Sequence, residues 1–371
     1  MLRPLAVLAM ILALALAACG GDDGVSPGPT LSAATTATPA ASPRPSPAPG
    51  EIVEQLAYVG ADGEIRLVNA DGSGNHVLSG TPCDAGSDVQ GFEMAWALDG
   101  RALGYICVSG TTAGRTLLVI KSDGEQISSV QEVSHFRWSP DSSRLAYQSS
   151  TEHEAFVVGF LDAETGVATE LRHGAALLEW VGPGSLLLGL EPVFGDLALA
   201  FKAHLVNVVS GESTALPEFD DAAALWVSPN GAKMVLYTHP SGSAPGMAVY
   251  DFATTLTTVI EGGHIGYPSE FIPRWQLAFS PDSATVYWAN AGDAPPSIWE
   301  ARLDAPEATR LGEIDSPFPV AVVSPLGRVS GLTRIPNSVW ISTVVIQDLS
   351  AATPVEIGRG LGPFAWRTVV H

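Results

Sequence analysis

The sequence predicts an all-β fold in which one four-stranded unit repeats around a closed array, and three observations predict it. A turn-forming pentapeptide of the type Trp-Ser-Pro-Asp-Ser recurs at a nearly constant step. Between its copies, short β-rich runs alternate with tight polar turns, and no stretch after the N-terminal apolar run carries the 3.6-residue period of an amphipathic helix. With 371 residues, 46% of them hydrophobic, the chain has ample material for a core.

The N-terminal elements come first. Met1 to Arg3 give a short positive start and Leu5 to Ala17 an unbroken apolar run. That run is too short to span a hydrocarbon core of about 30 Å as a mature helix, so residues 1–18 read as a secretory signal. It ends in Leu16-Ala17-Ala18-Cys19, which resembles the bacterial lipobox. The resemblance implies that Cys19 becomes the acylated first residue of the mature protein, held to the bilayer by fatty acyl chains such as palmitate. Residues 19–50 are rich in Pro, Ser, Thr, Ala and Gly and almost lack large apolar side chains, so they cannot offset their own ordering entropy and are expected to form an extended tether.

From residue 51 to 371 the repeat takes over. Its copies are Trp96-Ala-Leu-Asp-Gly100, Trp138-Ser-Pro-Asp-Ser142, Val181-Gly-Pro-Gly-Ser185, Val227-Ser-Pro-Asn-Gly231, Phe279-Ser-Pro-Asp-Ser283 and Val323-Ser-Pro-Leu-Gly327, with a partial seventh at Phe364-Ala-Trp366-Arg. The step between copies runs from 42 to 52 residues, the range of four-stranded propeller blades. After each turn comes a strand that ends near an aromatic residue, as in Leu103-Gly-Tyr105 and Leu145-Ala-Tyr147; a β-rich run follows, as in Thr116 to Ile120; then a tight turn such as Asn69-Ala-Asp-Gly72. Asp-Gly supplies the positive-φ residue that a hairpin needs. Leu56-Ala-Tyr58 lacks a preceding copy, and Phe364 to Val370 lacks a successor, so pairing the two would close the ring and remove its exposed edges. The count predicts a β-propeller of seven four-stranded blades with N- and C-terminal strand closure; six is the fallback, because the third and fourth copies are degenerate.

On these motifs the segment resembles the TolB-type, WD-repeat-like propeller family, over about residues 54 to 370. The departures are Trp180 and Trp226, each one place early relative to its proline, and the missing serine and proline at 97 and 98.

In such a blade the repeated turn and the Asp-Gly turn share one face, while the loops of variable length lie on the other, where recognition usually sits. The candidate binding-face residues are therefore Asp220, Asp221, His264, Tyr267, Glu270 and Arg274, a mixture of acids and rings suited to an envelope protein, a peptide or a glycan. Cys83 and Cys107 are placed near that face, so a structural disulfide between them is compatible with the topology and with an exported compartment; two free thiols are the alternative.

A formal charge of -21 repels nucleic acid. The serine-hydrolase elbow Gly-x-Ser-x-Gly is absent, since Gly211-Glu-Ser-Thr-Ala215 lacks the last glycine, and the eight histidines show no metal-binding spacing. No catalytic residue or cofactor is expected, though a calcium ion on loop carboxylates would need no compact motif. The sequence thus favours a monomeric, lipid-anchored, extracytoplasmic and non-enzymatic binding module facing the periplasm or exterior. The competing reading is a propeller enzyme, a lactonase or glycan-acting hydrolase, with a metal or carboxylate site at the central mouth.

Overall fold

Short β-rich runs separated by turn residues fold into strands that pair with their chain neighbours. The structure, a computed structural model, describes residues 52–79, 93–108, 114–149, 156–194, 199–216, 222–238, 246–263, 277–290, 297–313, 321–334, 342–348 and 354–370. Among them every regular element is a strand. The chain opens with β1 (Ile52–Gly60), β2 (Ile65–Asn69) and β3 (His76–Ser79). Five four-stranded antiparallel sheets follow. They comprise β4 (Met94–Trp96), β5 (Ala102–Val108), β6 (Arg115–Lys121) and β7 (Gln126–Gln131); then β8 (Val133–Trp138), β9 (Arg144–Ser149), β10 (Val157–Asp162) and β11 (Ala168–His173). Next come β12 (Ala175–Trp180), β13 (Ser185–Phe194), β14 (Leu199–Asn207) and β15 (Ser213–Ala215), and then β16 (Ala222–Val227), β17 (Lys233–Thr238), β18 (Gly246–Asp251) and β19 (Thr257–Val259). The fifth sheet is β20 (Leu277–Phe279), β21 (Thr285–Asn290), β22 (Ser297–Arg302) and β23 (Ala308–Glu313).

The last four strands are β24 (Ala321–Val323), β25 (Val329–Arg334), β26 (Ser342–Gln347) and β27 (Val355–Val370). They join the first three in one seven-stranded sheet of order β24-β25-β26-β27-β1-β2-β3. The 16-residue β27 serves both sides: Val355 to Gly360 pair with β26, and Gly360 to Val370 pair with β1. The expected pairing of the N- and C-terminal strands is therefore present.

Hydrophobic clusters bind each sheet to the next. Ile65 and Leu67 of β2 pack with Leu103 and Tyr105 of β5, and Val235 and Tyr237 of β17 with Val286 and Trp288 of β21. The circuit closes where Leu56, Tyr58 and Val68 meet Val344 and Ile346. The middle strands are apolar on both faces because both are covered, whereas β15 and β19 lie on the outside and are exposed throughout. The architecture is an all-β propeller.

The repeated pentapeptide is punctuation between the first two strands of a sheet. Ser139 N–H donates to the Arg144 carbonyl at 2.8 Å and Ser142 N–H to the Ser139 carbonyl at 2.9 Å. Asp141 Oδ1 accepts from Ser139 Oγ at 2.7 Å and Ser143 Oγ at 2.8 Å. Burial works to raise the Asp141 pKa, but these hydroxyl and amide donors outweigh it and leave the carboxylate below its ordinary range. The Ser280 and Asp282 turn repeats the pattern, with Ser280 Oγ donating to Asp282 Oδ1 at 2.5 Å.

The last position of the pentapeptide has positive φ in five copies, as Gly100, Ser142, Gly231, Ser283 and Gly327. Serine is strained there, and its hydroxyl gives something in return. Ser142 Oγ accepts from Asp99 N–H of the preceding sheet at 3.0 Å, and Ser283 Oγ from Asn230 N–H at 3.1 Å. Ser142→Ala keeps the strain and strands that amide, so it should cost about 1 kcal/mol in urea unfolding, while Ser142→Gly relieves the strain and should cost less. Equal losses from the two variants would show that the positive φ of Ser142 carries no strain, and no loss from either would show that the inter-sheet hydrogen bond contributes nothing.

The third copy is corrected by the structure. Its turn closes between Val181 N–H and the Ser185 carbonyl, one residue shorter than the turns at Ser139 and Ser280, with the positive φ moved to Gly182. Counted from that hydrogen bond, Trp180 and not Val181 occupies the place of Trp138. Their indoles confirm the equivalence: Trp138 Nε1 donates to the Ala95 carbonyl and Trp180 Nε1 to the Arg137 carbonyl, both at 2.9 Å. Trp226 is displaced in fact as well as in sequence, since its turn starts at Ser228. One step along a strand changes the face, so Trp226 packs toward the following sheet with Leu277 and Trp288, whereas Trp138 packs toward the preceding one with Ala97 and Val119.

Candidate functional site

The innermost strands β4, β8, β12, β16, β20 and β24, with the second half of β27, surround the axis of the ring. Strand alternation sends one set of their side chains between sheets and the other into the channel. At one level of the channel three consecutive innermost strands present charged groups. Glu93, just before β4, lies with its Oε2 2.7 Å from His135 Nδ1 of β8. Arg137, two residues further along β8, pairs through Nη1 with Glu93 Oε1 and through Nε with Glu179 Oε2 of β12, the latter at 3.1 Å.

These four side chains are only 14 to 18% exposed, so their charges need compensation from one another and from nearby backbone. Arg137 Nη1 also donates to the Phe136 carbonyl at 2.6 Å, and Glu93 Oε2 accepts from Phe136 N–H at 3.1 Å. Burial pushes the Glu93 pKa up, but the Arg137 and His135 charges and their hydrogen bonds outweigh it and hold the carboxyl far below its usual range. Burial lowers the Arg137 pKa, and the two carboxylates more than reverse that. With a neutral imidazole the layer carries one net negative charge; with a protonated one it is neutral.

Below this layer, toward the pentapeptide turns, the channel becomes apolar. A cavity of about 270 Å³ runs from Arg137 and Glu179 past Trp96, Trp138 and Phe279 to Pro140, Pro229 and Pro325. The same prolines that preset the turns form its rim. A second cavity of about 140 Å³ adjoins it between Trp96, Phe279, Pro325, Trp366 and Arg367.

The residues assigned to the variable-loop face, Asp220, Asp221, His264, Tyr267, Glu270 and Arg274, lie outside the described residues, as do Cys19 and Cys83. Cys107, in β5, is disulfide-bonded. Among the described residues no three His, Cys, Asp or Glu side chains gather as a metal site would require, and no helix is long and apolar enough to cross a membrane.

The charged layer was not anticipated from the sequence, although a signal existed. Glu93 precedes His135 by 42 residues and Arg137 precedes Glu179 by 42, the same step as the repeat. Charged residues at alternate positions of strands otherwise apolar mark the side that faces the axis.

No family model matches the chain, and no curated protein matches it. Solved structures do. An oligogalacturonate lyase in complex with manganese aligns with a TM-score of 0.55 at 12% identity, over 81% of this chain and 91% of that one. The oligogalacturonate lyase of Vibrio parahaemolyticus aligns at 0.52 and 13% identity, over 84% and 87%. TolB from Acinetobacter baumannii aligns at 0.48 and 15% identity, over 71% of this chain and 66% of that one. At such identities the likeness is one of fold. The chain is an all-β propeller protein of the same general architecture as these lyases, with a channel charged at one level and apolar at the next.

Proposed function

We propose that the protein is an extracytoplasmic lipoprotein, tethered through Cys19 and residues 20–50, whose propeller is a non-enzymatic binding module for an envelope protein, peptide or glycan. The blade count in this reading is seven, because the seven-stranded sheet divides at Gly360 of β27 into two blades, one ending in Val355 to Gly360 and one beginning with the remainder. The disulfide of Cys107 is assigned to Cys83 on the same reading.

The observation that carries the binding reading is the state of the channel carboxylates. Glu93 and Glu179 share one guanidinium, and Glu93 is held ionised far below neutrality. A general acid needs a carboxyl that keeps its proton near the working pH, which Glu93 does not. The runner-up, a glycan-acting enzyme, draws on the His135 and Glu93 pair beside Arg137 in a channel of the fold that the oligogalacturonate lyases share.

Crosslinking in intact envelopes followed by pull-down separates the two. Recovery of a defined envelope partner supports the binding module; turnover of a polyuronide by the purified protein, lost in His135→Gln, would replace it with the enzyme. Cys19→Ala is expected to move the protein from the membrane to the soluble fraction on fractionation, and continued sedimentation with membranes would overturn the lipid anchor.

A further inference from the structure

The apolar mouth of the channel contains an arginine whose electrostatic position differs from that of Arg137. The Arg367 guanidinium lies over the Trp96 ring, 4.2 Å from its centroid. Its Nε and Nη2 donate to Gln55 Oε1 at 2.9 and 2.6 Å, and its Nη1 to the Gly100 carbonyl at 2.7 Å. All of these acceptors are neutral. Among the described residues no carboxylate pairs with it, and burial alone acts on it, drawing its pKa down to about 10, so it remains a cation at neutral pH.

A half-buried charge without a counter-charge is costly, and in a chain with 39 acidic and 18 basic residues an acid partner would have been easy to place. Three of the five guanidinium N–H groups are used in these hydrogen bonds, which leaves one on each terminal nitrogen. Arg367 lines the 140 Å³ cavity, and no acidic residue does. That cavity shares Trp96, Leu98, Pro229, Phe279 and Pro325 with the 270 Å³ cavity, so the two form one continuous mouth. Their combined size reaches the lower end of the range for small-molecule sites, roughly 300 to 1,000 Å³.

The field along the channel then fixes an orientation. The deep layer, with two carboxylates on one guanidinium, repels an anion, while the rim attracts one. We propose that this mouth is a binding site for a small organic monoanion, a carboxylate on a flat apolar body. The carboxylate takes the two unused N–H groups of Arg367, and the body extends inward between Trp96, Phe279 and the rim prolines. The site lies among the pentapeptide turns and uses none of the candidate binding-face residues, so it goes beyond the function proposed above, and the fate of either leaves the other standing.

Calorimetric titration of the full chain with 2-naphthoate and with its uncharged analogue 2-naphthylmethanol tests it. Naphthoate should bind at least about tenfold more tightly, since charge-assisted bidentate pairs are the strong ones, and added salt should shrink that preference. Arg367→Gln should abolish the preference. Because that variant also disturbs the contacts to Gln55 and Gly100, Leu98→Glu provides a second reading. Leu98 is 51% exposed at the same mouth, so a carboxylate there should weaken naphthoate by about tenfold more than it weakens the alcohol, with the melting temperature unchanged. Equal affinity for the two probes, no binding of either, or a preference that survives both variants would overturn the proposal.

Discussion

Replacing Arg137 by leucine is expected to lower the unfolding free energy by about 3 to 5 kcal/mol at neutral pH, the cost of removing one partner from a buried ion pair. Among the described residues the Arg137 guanidinium pairs with both Glu93 and Glu179, and His135 lies beside Glu93. Leucine would take that guanidinium from both carboxylates at a place where the charged side chains are 14 to 18% exposed. The pH dependence has a definite sign. In the native chain the folded pKa of Glu93 is depressed. Its contribution is therefore present above the unfolded value of about 4.5 and is lost only as pH falls through the much lower folded value. In the variant burial is no longer opposed by Arg137, the Glu93 pKa rises, and protonation on acidification restores part of the stability. Urea unfolding at pH 7 and at about pH 4 to 5 should thus show a penalty that shrinks with acidity. A penalty below about 1 kcal/mol, or one independent of pH, would mean that the layer is solvated and energetically idle.

The contrast between this layer and the turns explains what the sequence reveals. Ser139, Asp141 and Ser142 act on hydroxyls and amides within a few residues or on the same turn of the preceding sheet, so their role is written locally and repeats visibly. Strand runs were legible for the same reason: Thr116 to Ile120 falls within β6. Trp180 was misplaced because its turn is one residue shorter, and aligning on the proline hid the true register. Glu93, His135, Arg137 and Glu179 were passed over because each reads as an ordinary charged residue until the ring brings three strands together. Arg367 is harder still. That its acceptors among the described residues are all neutral is a property of the closed ring, in which β27, β1 and the turn at Gly100 converge.

Ending the chain at Gly360 is expected to abolish cooperative folding altogether. Residues 361–370 are the half of β27 that pairs with β1, in a register running from Val59 opposite Leu361 to Ile52 opposite Val370. Their loss exposes the hydrogen-bonding edge of β1 and removes Phe364 and Trp366, 1% and 9% exposed, from the cluster that closes the ring. Each large aromatic removed from a core costs about 3 to 5 kcal/mol, and Trp366 Nε1 also donates to the buried Ser330 hydroxyl at 3.1 Å. Two such losses, with a strand's backbone pairing added, match or exceed the typical domain stability of about 5 to 15 kcal/mol. The residues that complete β26, Val355 to Gly360, would remain, so the deletion isolates closure from the integrity of the neighbouring sheet. Thermal melts followed by circular dichroism should show no cooperative transition, and limited proteolysis should degrade the whole domain. Because the missing element is a single strand with an intact edge awaiting it, a synthetic peptide of residues 361–371 supplied in excess should restore the transition by strand addition. A truncated chain that melts cooperatively within a few degrees of the full-length protein would show that the ring holds without its closing strand.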